Sequence, residues 1–159
     1  MSTKPTDKLS LANPVHFLAL GFGSGLAPKA PGTFGTLAAI PVWWLLAQGG
    51  SLVYVLGTLL AIAIGPYVCG KAARDMGIHD HGSIVWDEVA GYLITMLLVP
   101  VSWVWALVGF GLFRFFDILK PWPISWLDKK MAGGTGIMAD DILAGVFAAL
   151  VMQLLLWVL

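Results

Sequence analysis

The residues of this chain best suited to chemistry are carboxylates gathered in two places. The first is His79-Asp80-His81-Gly82-Ser83-Ile84-Val85-Trp86-Asp87-Glu88-Val89-Ala90-Gly91, where acids and histidines crowd together just before an apolar run. The second is Gly136-Ile137-Met138-Ala139-Asp140-Asp141-Ile142-Leu143-Ala144-Gly145, which again sets paired acids at the mouth of an apolar helix. Both contain Asp, two residues, Ala and Gly, so on a helix each glycine lies one turn below its aspartate on the same face. Small residues let membrane helices approach closely. The two helices are therefore expected to cross at the glycines and bring Asp87 and Asp141 within reach of a shared cation. Capping and the helix dipole explain one acid at a helix N-terminus, such as Asp140, but not two. The carboxylates Asp87, Glu88, Asp140 and Asp141 repel one another when desolvated, and a hard divalent cation relieves that repulsion. Mg2+ suits them, because it takes carboxylate and phosphate oxygens; no Cys or His set suited to zinc is present.

Two further groups of residues give such a centre something to hold. Arg114, Asp117 and Lys120 follow one another at intervals of three before Pro121 and Pro123 stop the helix. An Arg114–Asp117 pair can be purely structural, but beside a carboxylate cluster Arg114 and Lys120 make better phosphate clamps, since guanidinium meets phosphoryl oxygens in fork geometry. The segment Lys29 to Thr36 offers Gly32 and Gly35 for close backbone approach and the Thr33 and Thr36 hydroxyls before a helix start, a cradle for a phosphate or head group. It is not a Walker motif, and a turn with an N-cap explains it equally well. His79 and His81, beside Asp80, are candidate acid/base or head-group residues. His16 reads as structural, and Lys71, Arg74 and Asp75 as a solvated helix end.

The elements that must position these residues are membrane helices. The chain has 159 residues, 58% of them hydrophobic and 11% charged, with a mean hydropathy of +0.86. That is an integral-membrane composition, and the length fits a single domain, residues 1–159, with a polar tail at 1–13. Nine basic and nine acidic residues leave no net charge, hence no field for nucleic acid. Cys69 reads as a small buried hydrophobe. Asn13 and Pro14 predict a short capped helix over Val15 to Leu20, and no removable signal peptide is expected. A Gly/Pro-rich loop follows from Gly21 to Thr36.

Apolar runs at about Phe34–Ala47, Leu52–Gly70, Val89–Val101, Trp103–Leu119 and Ile142–Leu159 then predict an all-α polytopic membrane bundle of about five helices. A full span takes about 20 residues, so the first and third runs are short. The connectors Gln48 to Ser51 and Val99 to Ser102 carry no charge, which puts every Asp, Glu, Lys and Arg on the other side. By the positive-inside rule that side is cytoplasmic. Trp43, Trp44, Trp103, Trp105 and Trp157 would then form an outer aromatic belt, and Trp86, Trp122 and Trp126 an inner one.

Five ordered motifs run along the chain: Gly21-Phe22-Gly23-Ser24-Gly25-Leu26, Ala30-Pro31-Gly32-Thr33, the stretch from His79 to Glu88, Phe113-Arg114-Phe115-Phe116-Asp117 with Lys120-Pro121-Trp122-Pro123-Ile124, and Gly136-Ile137-Met138 with Asp140-Asp141 and Ala144-Gly145. Through them nearly the whole chain resembles the bacterial phosphatidylglycerophosphatase A family. The resemblance implies a Mg2+-dependent, multi-pass enzyme of the bacterial inner membrane that takes the terminal phosphate from phosphatidylglycerophosphate, a phospholipid substrate. On that expectation Asp87, Glu88 and Asp141, helped by Asp140 or Asp117, hold one or two ions, while Arg114 and Lys120 bind phosphate oxygens. The nucleophile stays open between a metal-bound water, with Asp80 or His79 as base, and a carboxylate forming an acyl phosphate, water being preferred. The competing readings are a phosphatidyl-group transferase and a non-enzymatic cation carrier. The first lacks its longer spaced acidic motif here; against the second, the charges sit at one membrane edge instead of mid-depth.

Overall fold

The computed structural model describes residues 4–78 and 81–159, and every regular element among them is helical. Seven α-helices run α1 (Pro14–Ala19), α2 (Pro31–Gln48), α3 (Gly50–Met76), α4 (Trp86–Thr95), α5 (Trp103–Leu119), α6 (Ile124–Lys130) and α7 (Gly133–Val158). Two short 3-10 turns, Pro5–Lys8 and Ser24–Leu26, precede α2. Asn13 caps α1 as expected, its side chain accepting from the Val15 and His16 amides, with Pro14 at the first position.

Each of the five apolar runs becomes a helix, but the expectation of about five membrane helices is corrected. Among the described residues, α3 and α7 alone are long and apolar enough to cross a membrane. The others fall short for local reasons. Helix α4 ends at Thr95; at about 1.5 Å per residue its ten residues cover roughly half of a bilayer's ~30 Å hydrocarbon core. Leu98, with φ of 60°, and Pro100 then turn the chain. Helix α5 spends part of its 17 residues on Arg114 and Asp117. Helix α2 opens on Pro31-Gly32-Thr33 and carries Pro41 inside. That opening also shortens the predicted Gly/Pro-rich loop, because Gly32, Thr33 and Thr36 already lie in the first turns of α2. Helix α6 had no counterpart among the apolar runs.

Helix α4 is the buried centre of the bundle, with Trp86, Val89, Ala90, Tyr92 and Leu93 all in the core. A helix end shut away from water must find partners for its last carbonyls. The Tyr54 hydroxyl on α3 supplies one, donating to the Leu93 carbonyl at 2.5 Å. The Tyr92 hydroxyl ties α4 to α5 through the Ala106 carbonyl at 2.9 Å, and the Trp86 indole ties it to α3 through the Ala61 carbonyl at 3.0 Å. Trp86 and Trp43 are therefore core residues, not members of an aromatic belt; Trp44, Trp103, Trp122, Trp126 and Trp157 are exposed. Exposed leucines such as Leu52, Leu59, Leu60, Leu107 and Leu150 give the outside an apolar surface suited to lipid.

Helices α4 and α7 cross at the two predicted glycines. A Cβ added to Gly145 would sit 2.6 Å from the Gly91 carbonyl oxygen, and one added to Gly91 would sit 2.9 Å from that of Asp141. Only glycine at both positions lets the backbones come this close. The same crossing sets the acid-bearing turns of the two helices side by side.

Candidate active site

The N-termini of α2 and α4, the C-terminus of α5 and the third turn of α7 converge on one group of charged side chains. Helix α7 begins at Gly133, so Asp140 is its eighth residue. The expected helix mouth at Asp140-Asp141 thus lies about two turns inside the helix, which removes capping and the helix dipole as reasons for these acids. Asp141 is 1% exposed, Asp87 and Asp140 6% and Asp117 7%. Carboxylates this deep are costly without compensation.

The carboxylates form two triads that share Asp141. Ligand oxygens of Asp87, Glu88 and Asp141 lie within 4.8 Å of one another, and so do those of Asp117, Asp140 and Asp141. The predicted meeting of Asp87 with Asp141 is therefore present. Asp117, expected both as a partner of Arg114 and as a helper at the ions, lies in the second triad.

The cations sit on one side of this cluster. Arg114 donates through a terminal guanidinium nitrogen to Asp117 Oδ2. Lys120 Nζ lies 2.5 Å from Asp140 Oδ2 and 3.7 Å from Asp117 Oδ1. Burial alone would lower the Lys120 ammonium, but the hydrogen bond to Asp140 and the charges of Asp140, Asp141 and Asp117 outweigh it and hold its pKa above the usual lysine value. Lys120 also caps α5 in the left-handed region, with φ of 48°, a strained conformation for a residue with a side chain.

Several polar atoms in this centre are buried without a partner: Asp87 Oδ1, Glu88 Oε2, Asp141 Oδ2 and Arg114 Nε. Three acceptors and one guanidinium donor left this way call for a cation and an anion respectively. That is the fit expected of Mg2+ beside a phosphoryl group. Gly32 lies against the same place, since a Cβ there would be 3.1 Å from Glu88 Oε1 and 3.2 Å from a terminal nitrogen of Arg114. The N-terminus of α2 thus approaches the guanidinium at Gly32 with no side chain in the way, and the positive end of its dipole adds to the attraction for an anion.

The other cradle residues are less close to this geometry. Thr36 is fully buried, with its hydroxyl donating to the Gly32 carbonyl at 2.8 Å. Lys29 is exposed, and Thr33 is half-buried in the first turn of α2. His81 Nδ1 accepts from the Ser83 amide at 3.1 Å, which orients the ring ahead of α4. His79 and Asp80 lie outside the described residues. His16 has the structural role expected of it: its Nδ1 accepts from the Ser10 amide and its Nε2 lies 2.6 Å from Asp75. Asp75 also pairs with Lys71 at 3.1 Å, so this end of α3 is an ion-paired anchor for the N-terminal segment.

A helical bundle with an apolar exterior, carrying buried carboxylates, a guanidinium and an ammonium at one end, defines an enzyme that works on an anionic group at a membrane. The comparisons make the class specific. Residues 17–156 match the family model for phosphatidylglycerophosphatase A. The chain is 53% identical over 144 residues to phosphatidylglycerophosphatase A of Escherichia coli (strain K12), covering 90% of this chain and 84% of that protein. It is 51% identical over 150 residues to phosphatidylglycerophosphatase A of Haemophilus influenzae, covering 93% and 92%. No solved structure matches it. The chain belongs to the phosphatidylglycerophosphatase A family and is a phosphatase.

Proposed function

We propose that this chain is a Mg2+-dependent lipid phosphatase that hydrolyses phosphatidylglycerophosphate to phosphatidylglycerol and inorganic phosphate. The observation that carries the metal and the chemistry is the set of unpartnered, buried oxygens on Asp87, Glu88 and Asp141 beside an unpartnered Arg114 Nε. Those three carboxylates would hold the ion, which supplies Lewis-acid polarisation of the phosphoryl group and neutralises charge in the transition state. Arg114 presents Nε to a phosphoryl oxygen while Asp117 fixes its other edge. Lys120, kept protonated, adds a second positive charge on the same side. The α2 N-terminus comes against Arg114 and Glu88 at Gly32, where the positive end of its dipole adds to the attraction for the phosphoryl group. In the net reaction water adds to phosphorus, the bond from phosphorus to the glycerol oxygen breaks, and the glycerol oxygen leaves with a proton. The segment His79-Asp80-His81, which leads into Asp87, is the proposed source of the base.

The proposed setting is the bacterial inner membrane, multi-pass, with the acidic end toward the cytoplasm. The uncharged connectors Gln48 to Ser51 and Val99 to Ser102 at the other end support that orientation. A phosphomonoester on a lipid lies at the membrane surface, which is the depth proposed for the charged ends of α4 and α5.

Detergent-purified protein supplied with phosphatidylglycerophosphate and Mg2+ is expected to release inorganic phosphate. A chelator should abolish release and excess Mg2+ restore it. Absence of release, or release indifferent to chelation, would overturn the assignment. Lys120→Met is expected to lower kcat/KM by about 10²-fold or more, the scale for losing one preorganised charge-stabilising group. Lys120→Arg should recover part of that. Equal rates for Lys120→Met and the parent would exclude Lys120 from phosphate binding.

A further inference from the structure

Two overlapping carboxylate triads invite the reading of a two-metal centre, but the partners of the individual oxygens do not support it. Every buried, unpartnered carboxylate oxygen in the cluster belongs to Asp87, Glu88 or Asp141, one on each; none belongs to Asp117 or Asp140. The latter two already hold the protein's own cations, Arg114 on Asp117 and Lys120 on Asp140. We propose that the centre takes one divalent cation, at Asp87, Glu88 and Asp141, and that Asp117 and Asp140 are positioning residues that aim Arg114 and Lys120 at the phosphoryl oxygens. This rests on the reading of the centre as a phosphatase site.

Five carboxylates in the two triads face two cationic side chains, so the fully ionised cluster carries three excess negative charges. One divalent ion leaves a single negative charge and two leave a single positive one, so net charge calls for at least one ion and the ion pairs decide the number. A second ion, at Asp117, Asp140 and Asp141, would compete with Lys120 and Arg114 for the same carboxylates. Buried charge is tolerated in proportion to its compensation, and the single-ion arrangement keeps both ion pairs. The strain at Lys120 fits this division of labour. A left-handed residue at the α5 C-cap would ordinarily be glycine; lysine there puts the ammonium between Asp140 and Asp117.

The probe is Mn2+, counted by electron paramagnetic resonance on the full-length, detergent-purified protein without substrate. One tightly bound Mn2+ per chain is expected for the parent, and none for Asp87→Asn. Asp140→Asn and Asp117→Asn are expected to keep one Mn2+ while weakening competitive inhibition by inorganic phosphate about 10-fold or more, the scale for removing a group that orients a ligand-binding residue. A purely packing role for Asp140 or Asp117 would leave phosphate affinity in the folded variants unchanged, and that result overturns the proposal. Two Mn2+ per chain in the parent, or loss of Mn2+ from Asp140→Asn, overturns it as well. The parent count needs no variant to fold. Because metal counting is independent of turnover, a protein that binds one Mn2+ but releases no phosphate would refute the assigned reaction and leave the single-ion centre standing.

Discussion

Asp87→Asn and Asp141→Asn should each lower phosphate release by at least about 10³-fold, because each removes a charged ligand worth several kcal/mol of transition-state stabilisation, and 1.36 kcal/mol is tenfold in rate. Neither change should unfold the protein. Asp87 and Asp141 are buried within 4.8 Å of each other and of Glu88, and each carries an oxygen with no partner. In the absence of a cation these carboxylates repel, so an amide of nearly the same shape removes repulsion along with function. The expected signature is a crossing of two trends. Without divalent ion, the melting temperature of Asp87→Asn in detergent is higher than the parent's. With Mg2+ added, the parent gains stability by mass action and the variant does not. Thermal melting in both conditions, alongside the phosphate-release rate, checks this. If either variant keeps a near-parental rate, Asp87 and Asp141 do not share an ion.

Much of this centre was legible in the residues because its chemistry is carried by types that an apolar chain has no other use for. Asp87, Glu88, Asp140 and Asp141 stand out against a composition that is 11% charged. The shared Asp-x-x-Ala-Gly spacing was enough to foresee the crossing of α4 with α7, since both the helical period and the demand of close packing for glycine are local rules. What was not legible depended on where helices begin. Apolar content marks only the lipid-compatible part of a helix, so α7 was expected from Ile142, whereas Gly133 to Asp141 is helical too and packs beside α3 and α6. That shift carried Asp140 and Asp141 from a helix mouth to the interior. Likewise Pro31 reads as a loop residue yet starts α2, as proline does at a first helical position, and this brings Gly32 against Arg114 and Glu88. Spacing makes Asp117 a partner for Arg114 along one helix, and the family resemblance alone adds it as a helper at the ions. Its place in the second triad comes from α7, across the bundle, and no spacing within the chain encodes that contact.

Gly145→Ala tests whether the helix crossing, and not the acids alone, makes the centre. Its new Cβ would meet the Gly91 carbonyl oxygen at 2.6 Å and the Gly91 Cα at 3.2 Å. Both are backbone atoms, so no side chain can swing aside; α4 and α7 must separate by several tenths of an ångström. Overpacking of this kind costs about 1–3 kcal/mol, visible as a lower melting temperature in detergent. The effect on rate is expected to be larger in proportion. Asp87 and Asp141 lie one turn from the glycines on their respective helices, and displacements approaching 1 Å in a catalytic constellation cost about 10²-fold. A drop of that order in kcat, with loss of Mn2+ affinity, is therefore expected from a methyl group that touches no acid. Gly111→Ala is the control: Gly111 lies on the exposed face of α5 and an added Cβ there meets nothing within 4 Å. It should hold the parental rate and, by relieving glycine's backbone entropy in a helix, gain up to about 1 kcal/mol of stability. If Gly145→Ala kept both rate and metal affinity, the acids would have to be held in register by something other than the glycine crossing, and the close approach of α4 and α7 would be packing alone.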